Sequence, residues 1–246
     1  MRCLDIDEPM TEPNILSGLR TRILGKTVYC YSSVDSTNQV AKELASGGAE
    51  EGTLVVAEEQ TKGRGKRGRS WESAYGRGIW ASLILRPQIS SFHTWKVTLG
   101  AAVSITRAIR HLTELEPTLK WPNDILIRGK KVGGVLTEIS TQRNQQETNP
   151  LILGFGLNVT HRQEDFSEKI RRQATSLYIE SGKCVSRVTL LQAILQIMEE
   201  KFCQLQNSDH EQLLQQWTVL SGCADEQRTQ SPRRIGHKVT YLRFES

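Results

Sequence analysis

The apolar positions of this chain change period repeatedly, and each change marks an element. Residues 27–32 predict a strand. Val34 to Asn38 offer helix N-cap residues, and Val40, Ala41, Leu44 and Ala45 then share one helical face, which Gly47-Gly48 ends. Residues 53–58 predict the next strand. The run from Gly78 to Leu85 is almost wholly apolar, as a strand mostly buried on both faces requires. Leu99, Ala102, Ile105, Ile109 and Leu112 recur at helical spacing and predict a core-facing helix. Short strands follow at residues 119–121, 125–127 and 132–139, the last two flanking a hairpin turn at Gly129. Residues 151–159 predict another strand. Leu191, Ile194, Met198, Phe202 and Leu205 mark a long amphipathic helix, and residues 212–217 a further helical stretch. Residues 238–242 read as one isolated strand. Residues 1–14, polar and with two prolines, read as loose chain. Hairpins grouped between helices imply an α+β fold with a mixed, mostly antiparallel sheet and helices packed against it. The strict strand–helix alternation of a doubly wound sheet is missing.

Composition adds bounds. The chain has 246 residues, enough for one large domain or one domain with a small appendage. Five cysteines, Cys3, Cys30, Cys184, Cys203 and Cys223, lie far apart with no C-x-x-C pair. That argues against a zinc site or a disulfide framework and for reduced thiols in a cytoplasmic protein. No apolar run approaches the ~20 residues of a membrane span.

Charge changes the picture more. The net charge is +5, and five basic residues with three glycines fall between Lys62 and Arg69. Glycines prevent a regular element there, and the like charges repel unless an anion sits among them. A nucleic-acid binder would spread its basic residues along a face, and a single aromatic neighbour, Trp71, makes no stacking array. The concentration favours a small phosphorylated ligand. Gly63-x-x-x-x-Gly68-Arg69-Ser70 nearly matches a P-loop, but no amphipathic helix follows it. A lid that closes over a nucleotide accounts for glycines and charge together.

Two further segments carry candidate chemistry. In Lys120-Trp121-Pro122-Asn123-Asp124, the proline sets a turn at a strand end, and Asn123 and Asp124 can point together into a pocket. Asp124 is also a candidate ligand for Mg²⁺ near phosphate oxygens. Lys131 stands at the mouth of a strand that contains Gly133 and Gly134, while Gly154 and Gly156 interrupt the next strand. Glycines inside strands permit close approach of a ligand, so two such strands make a flat floor.

Together, Asp35-Ser36-Thr37-Asn38, Gln60 with Gly63 to Trp71, Lys120 to Asp124, Lys131 to Glu138 and Gly154 to Val159 resemble the ordered motif set of the biotin protein ligases. The resemblance runs from about residue 28 to about residue 160. It implies a catalytic domain of the class II aminoacyl-tRNA synthetase and biotin ligase type. It implies two steps: biotin and ATP form biotinyl-5′-AMP, and a lysine of the biotin carboxyl carrier protein of acetyl-CoA carboxylase then takes the biotinyl group. By position, Lys131 would contact the biotin carboxylate and the α-phosphate, and Arg64, Lys66, Arg67 and Arg69 would close over the adenylate. Ser36, Thr37, Asn38 and Gln60 would bond the ureido ring and its neighbours. Arg64, Gly65, Lys66, Gly134, Leu136, Gly154 and Gly156 would line the biotin slot. Trp71 would pack by adenine, with Asn123, Asp124 and Asn158 near phosphates, ribose or Mg²⁺. Neither nucleic acid nor membrane is an expected partner, and a homodimer is compatible with the resemblance.

The chain departs from the family pattern in three places. Lys66 stands where many members have arginine, which keeps the charge and loses the bidentate fork. About 27 residues before the first motif cannot hold a helix-turn-helix domain, so residues 1–27 read as an extension to a catalytic domain at 28–222. Residues 223–246 read as a linker and the remnant first strand of an SH3-like barrel. Lipoate–protein ligase, which uses the same adenylate strategy, and a biotin-binding protein impaired in transfer stand as alternatives.

Overall fold

The computed structural model describes residues 8–87, 94–140, 149–206 and 210–221. Seven strands form one sheet: β1 (Val28–Tyr31), β2 (Leu54–Ala57), β3 (Gly78–Leu85), β4 (Thr118–Lys120), β5 (Asp124–Ile127), β6 (Lys130–Ile139) and β7 (Leu151–Asn158). Their order is β1-β2-β3-β7-β6-β5-β4. Only β1 and β2 pair in parallel; every other neighbour is antiparallel. The mixed, mostly antiparallel sheet expected from the sequence is present. The helices are α1 (Glu12–Ser17), α2 (Thr37–Ser46), α3 (Trp95–Leu112), α4 (Leu177–Ser181), α5 (Arg187–Gln206) and α6 (His210–Leu220). The strand expected at 238–242 lies outside the described residues.

Period two sorts each strand between the faces of the sheet. On β7, Leu151, Leu153, Phe155 and Leu157 join the main core with α3 and α5. Ile152 therefore faces the other way, where it packs with Val55, Ile84, Ala41 and Ala45 under α2. Gly154 and Gly156 share that second face. On β3, Ile79, Ala81, Leu83 and Leu85 go to the main core, leaving Trp80, Ser82 and Ile84 opposite. Both faces are covered, which is why β3 is buried at every position.

One strand breaks its own alternation. From β6, Val135 enters the core while Gly134, Leu136 and Glu138 face α2. Carried back residue by residue, this would send Lys131 into the core. The register instead shifts between Ile125 and Leu126: Gly133 pairs with Ile125, Lys131 with Leu126, and Val132 with neither. This β-bulge turns Val132 into the core at 0% exposure and brings Lys131 to the other face. Both residues of the preceding turn, Arg128 (φ 49) and Gly129 (φ 77), take positive φ, as a tight hairpin turn demands.

One expectation needs correction. Residues 12–14 are not loose: Thr11 caps α1, and Pro13 sits in its first turn, where a missing N–H costs nothing. Residues 8–27 pack onto the domain, with the Glu199 carboxylate accepting from the backbone N–H groups of Arg22, Ile23 and Leu24. Cys30 and Cys203 are free thiols.

Candidate active site

A cavity of about 470 Å³ opens between the N-terminus of α2, the basic loop and strands β6 and β7. Its lining includes Ser36, Thr37, Asn38, Gln60, Arg64, Gly65, Lys66, Arg67, Arg69, Trp71, Asn123, Asp124, Lys131, Gly134, Leu136, Gly154 and Gly156. Of the residues given a site role from the sequence, Asn158 alone is not on this wall. It is buried, and its Nδ2 donates to the Thr175 carbonyl at 3.0 Å. Ser70, Lys120, Trp121, Pro122, Val135 and Phe155 also line the cavity; they belong to the motifs but had been given no role in the site.

The glycines of the floor are obligatory. A Cβ on Gly154 would collide with the Asn38 side chain, and one on Gly156 would lie 2.7 Å from the Trp71 ring. Trp71 is thus seated on bare backbone, with Trp80 edge-on behind it at 6.2 Å. Its indole N–H is buried without a hydrogen-bond partner.

The basic loop folds as a narrow hairpin. The Trp71 N–H donates to the Gly63 carbonyl at 2.9 Å, and the Gly65 N–H to the Arg69 carbonyl at 2.7 Å. At its tip, a 3-10 turn (Lys66–Gly68) carries Arg67 and Gly68 at positive φ. Arg64, Lys66, Arg67 and Arg69 are exposed around the cavity. Lys62 is used differently: it binds the Asp35 carboxylate at 2.8 Å and ties the loop base to the segment before α2. That hydrogen bond, with a second from Thr61, holds the Asp35 carboxyl below its ordinary range. Lys131 faces the loop across the cavity, 2.6 Å from Asp124 and 5.2 Å from the centre of the Trp71 ring.

The opposite end is neutral and tightly bonded. The Thr37 N–H and hydroxyl donate to Gln60 Oε1 at 2.9 and 3.1 Å. Gln60 Nε2 donates to Ser73 Oγ at 2.9 Å. Ser82 Oγ lies 2.7 Å from Thr37 Oγ1 and 2.6 Å from Asn38 Oδ1, so its one proton serves them alternately. Ser36, Thr37 and Asn38 are all buried. The first N–H groups of α2 face this end, adding a partial positive charge.

Behind the aromatic support lies His161, buried, stacked on Phe166 at 4.9 Å and edge-on to Trp80 at 5.8 Å. Burial pushes its imidazole down to about 4, so it is neutral at physiological pH.

A basic loop over a glycine floor, beside a neutral hydrogen-bonding end, defines a site for an anionic ligand, and the comparisons name its family. The sequence profile of the Biotin/lipoate A/B protein ligase family matches residues 30–158, and the chain belongs to that family. The Bifunctional ligase/repressor BirA of Bacillus subtilis is 40% identical over 193 residues, covering 78% of this chain and 59% of its own length. The Biotin--[acetyl-CoA-carboxylase] ligase of Mycobacterium tuberculosis is 31% identical, over 71% of this chain and 63% of its own. The chain thus spans about three fifths of the length of these curated relatives. Among solved structures, the biotin protein ligase from Aquifex aeolicus in complex with biotin and ATP superimposes with a TM-score of 0.70. It is 33% identical, over 79% of this chain and 78% of the other.

Proposed function

We propose that this protein activates biotin with ATP and transfers it to a lysine of a biotin carboxyl carrier domain. One observation supports the reading above the rest. A single cavity joins a neutral hydrogen-bonding end to a cationic end, with bare backbone between them. Biotin has that polarity: a ureido ring at one end and a carboxylate at the other. The neutral end also favours biotin over lipoate, because a ureido ring can bond the polar groups of Thr37, Asn38 and Gln60 and a dithiolane ring offers them neither donor nor acceptor of comparable strength.

In the first step, a biotin carboxylate oxygen attacks the α-phosphorus of ATP, and the bond to the leaving pyrophosphate breaks. Two anions must meet, so cations fixed beside them lower the barrier. Lys131 does this from the bulge, exchanging Asp124 for the incoming oxygens. Arg64, Arg67 and Arg69 approach from the loop with Lys66, and loop closure keeps water from the mixed anhydride. In the second step, the carrier lysine nitrogen attacks the acyl carbon and AMP leaves. No enzyme side chain forms a covalent bond. Asn123 and Trp71, which line the same cavity, would contact the nucleotide.

Mg²⁺ would accompany the ATP phosphates. Among the described residues no three His, Cys, Asp or Glu cluster around a metal, so Asp124 would be its protein ligand and the phosphates the rest. No helix among the described residues is long and apolar enough to cross a membrane. A reaction that consumes ATP would suit the cytoplasm. The catalytic unit would span residues 28–222, with a carrier of the acetyl-CoA carboxylase type as partner.

The test is biotin-dependent ATP–pyrophosphate exchange with Mg²⁺, followed by carrier biotinylation. Exchange stimulated by biotin is expected. Its absence sinks the reading, and stimulation by lipoate alone selects the lipoate alternative. Exchange without transfer would define a protein impaired in its second step.

A further inference from the structure

Asn38 reads the neutral end of the cavity, yet nothing in the cavity decides which way its amide points. Oxygen and nitrogen have nearly the same shape, so the partners decide. The Asn38 Nδ2 donates to Glu138 Oε2 at 2.7 Å and, more weakly, to the Leu136 carbonyl at 3.4 Å. Both partners only accept. A flipped amide would set its oxygen against a carboxylate and a carbonyl. Glu138 is itself held by Lys42 at 2.6 Å, each side chain about three-quarters buried. Neither residue lines the cavity.

We infer that the Lys42–Glu138 ion pair is a positioning device: it fixes the Asn38 amide so that the oxygen faces Ser82 and the Gly154 floor. The inference rests on the biotin-activating reading for its consequence, though not for its geometry. With Oδ1 so placed, the site offers an acceptor to a ureido N–H. Ser82 completes the arrangement by sending its proton to Thr37 whenever a ligand N–H takes its place at Oδ1. Burial alone would raise the Glu138 carboxyl, but the bonds from Lys42 and Asn38, with the Lys42 and Arg64 charges, hold it below its ordinary value. It therefore stays an acceptor near neutrality. The pair spans α2 and β6, so one contact sets both the polarity and the spacing of the slot.

Glu138→Gln tests this with little change of volume, because a neutral amide can donate to a flipped Asn38. In the unliganded protein, the Asn38 side-chain amide resonance should move or split in Glu138→Gln and keep its wild-type position in Lys42→Arg. In steady-state exchange, the KM for biotin should rise roughly tenfold, with kcat and the KM for ATP within about threefold of wild type. Lys42→Met should shift the KM for biotin in the same direction, and Lys42→Arg should stay near wild type. An unmoved Asn38 resonance, or an equal change in both KM values, overturns the inference. A wild type that shows no biotin-stimulated exchange overturns the ligase reading instead, while the Asn38 resonance still decides the role of the pair.

Discussion

The two ends of the cavity are built on opposite principles. At the neutral end, Thr37, Asn38, Gln60 and Ser82 are bonded to one another before any ligand arrives, and three of them are almost wholly buried. At the cationic end, Arg64, Lys66, Arg67 and Arg69 stand exposed on a hairpin with like charges side by side. The first end is preorganised, so it selects by shape and hydrogen-bond polarity at little ordering cost. The second is completed only when an anion offsets the repulsion. On the proposed reading, selection of the acid and control of the reactive phosphate fall to different ends of one cavity. Lys131 stands between them, committed for now to Asp124.

The sharpest way to break this contrast is Lys131→Ala. The bulge side chain carries little packing, so the fold should persist while exchange falls roughly 10²- to 10³-fold, as expected for loss of one fixed charge at a developing anion. Near-wild-type exchange would remove Lys131 from its role. The aromatic support comes next. Unfolded His161 takes a proton near 6.5, whereas the folded one resists until about 4. Between those values the unfolded chain holds more protons, so stability is full above 6.5 and is lost as pH falls toward 4. The loss is roughly 3 kcal/mol at about 1.4 kcal/mol per pH unit. Denaturation midpoints across that range should show the slope, and His161→Phe should flatten it; a flat wild-type profile contradicts the assignment.

Gly154→Ala probes the rigid end. Its Cβ would strike Asn38, which Ser82 and Glu138 prevent from yielding. Overpacking of ~1–3 kcal/mol corresponds to about a tenfold or greater rise in the KM for biotin, with the KM for ATP unaffected. An unchanged KM for biotin would mean that this end is softer than its bonds suggest. Salt should give the smallest effect. Raising ionic strength shortens the screening length from ~10 Å toward ~3 Å, so the KM for ATP should rise several-fold and that for biotin less than about twofold. Equal responses would erase the distinction between the ends.

The two ends also differed in how far the sequence revealed them. The basic loop was legible because its chemistry is local: glycines and charges alternate within ten residues. The glycine floor was legible because glycine in a strand contradicts strand propensity. Strand β3 was found to the residue, since burial on both faces leaves an uninterrupted apolar run. The wiring of the neutral end was not legible. Ser82 lies 44 residues from Asn38, and Glu138 lies 100 residues from it, with nothing in their local patterns to join them. Asn158, assigned by its motif, is turned onto Thr175 by a long-range hydrogen bond that no motif contains. Helix α1 was hidden by Pro13, which reads as a breaker until its place in the first turn is known.

Val132, the residue that pairs with nothing, makes strand register a chemical variable. Paired in plain alternation, it would take the cavity face and send Lys131 into the core, with every charged and polar group of the cavity still in the sequence. An alignment would show an intact motif in either case. In comparing this chain with its relatives, the pairing between the Arg128-Gly129 turn and Gly133-Gly134 should therefore be compared before the identities are.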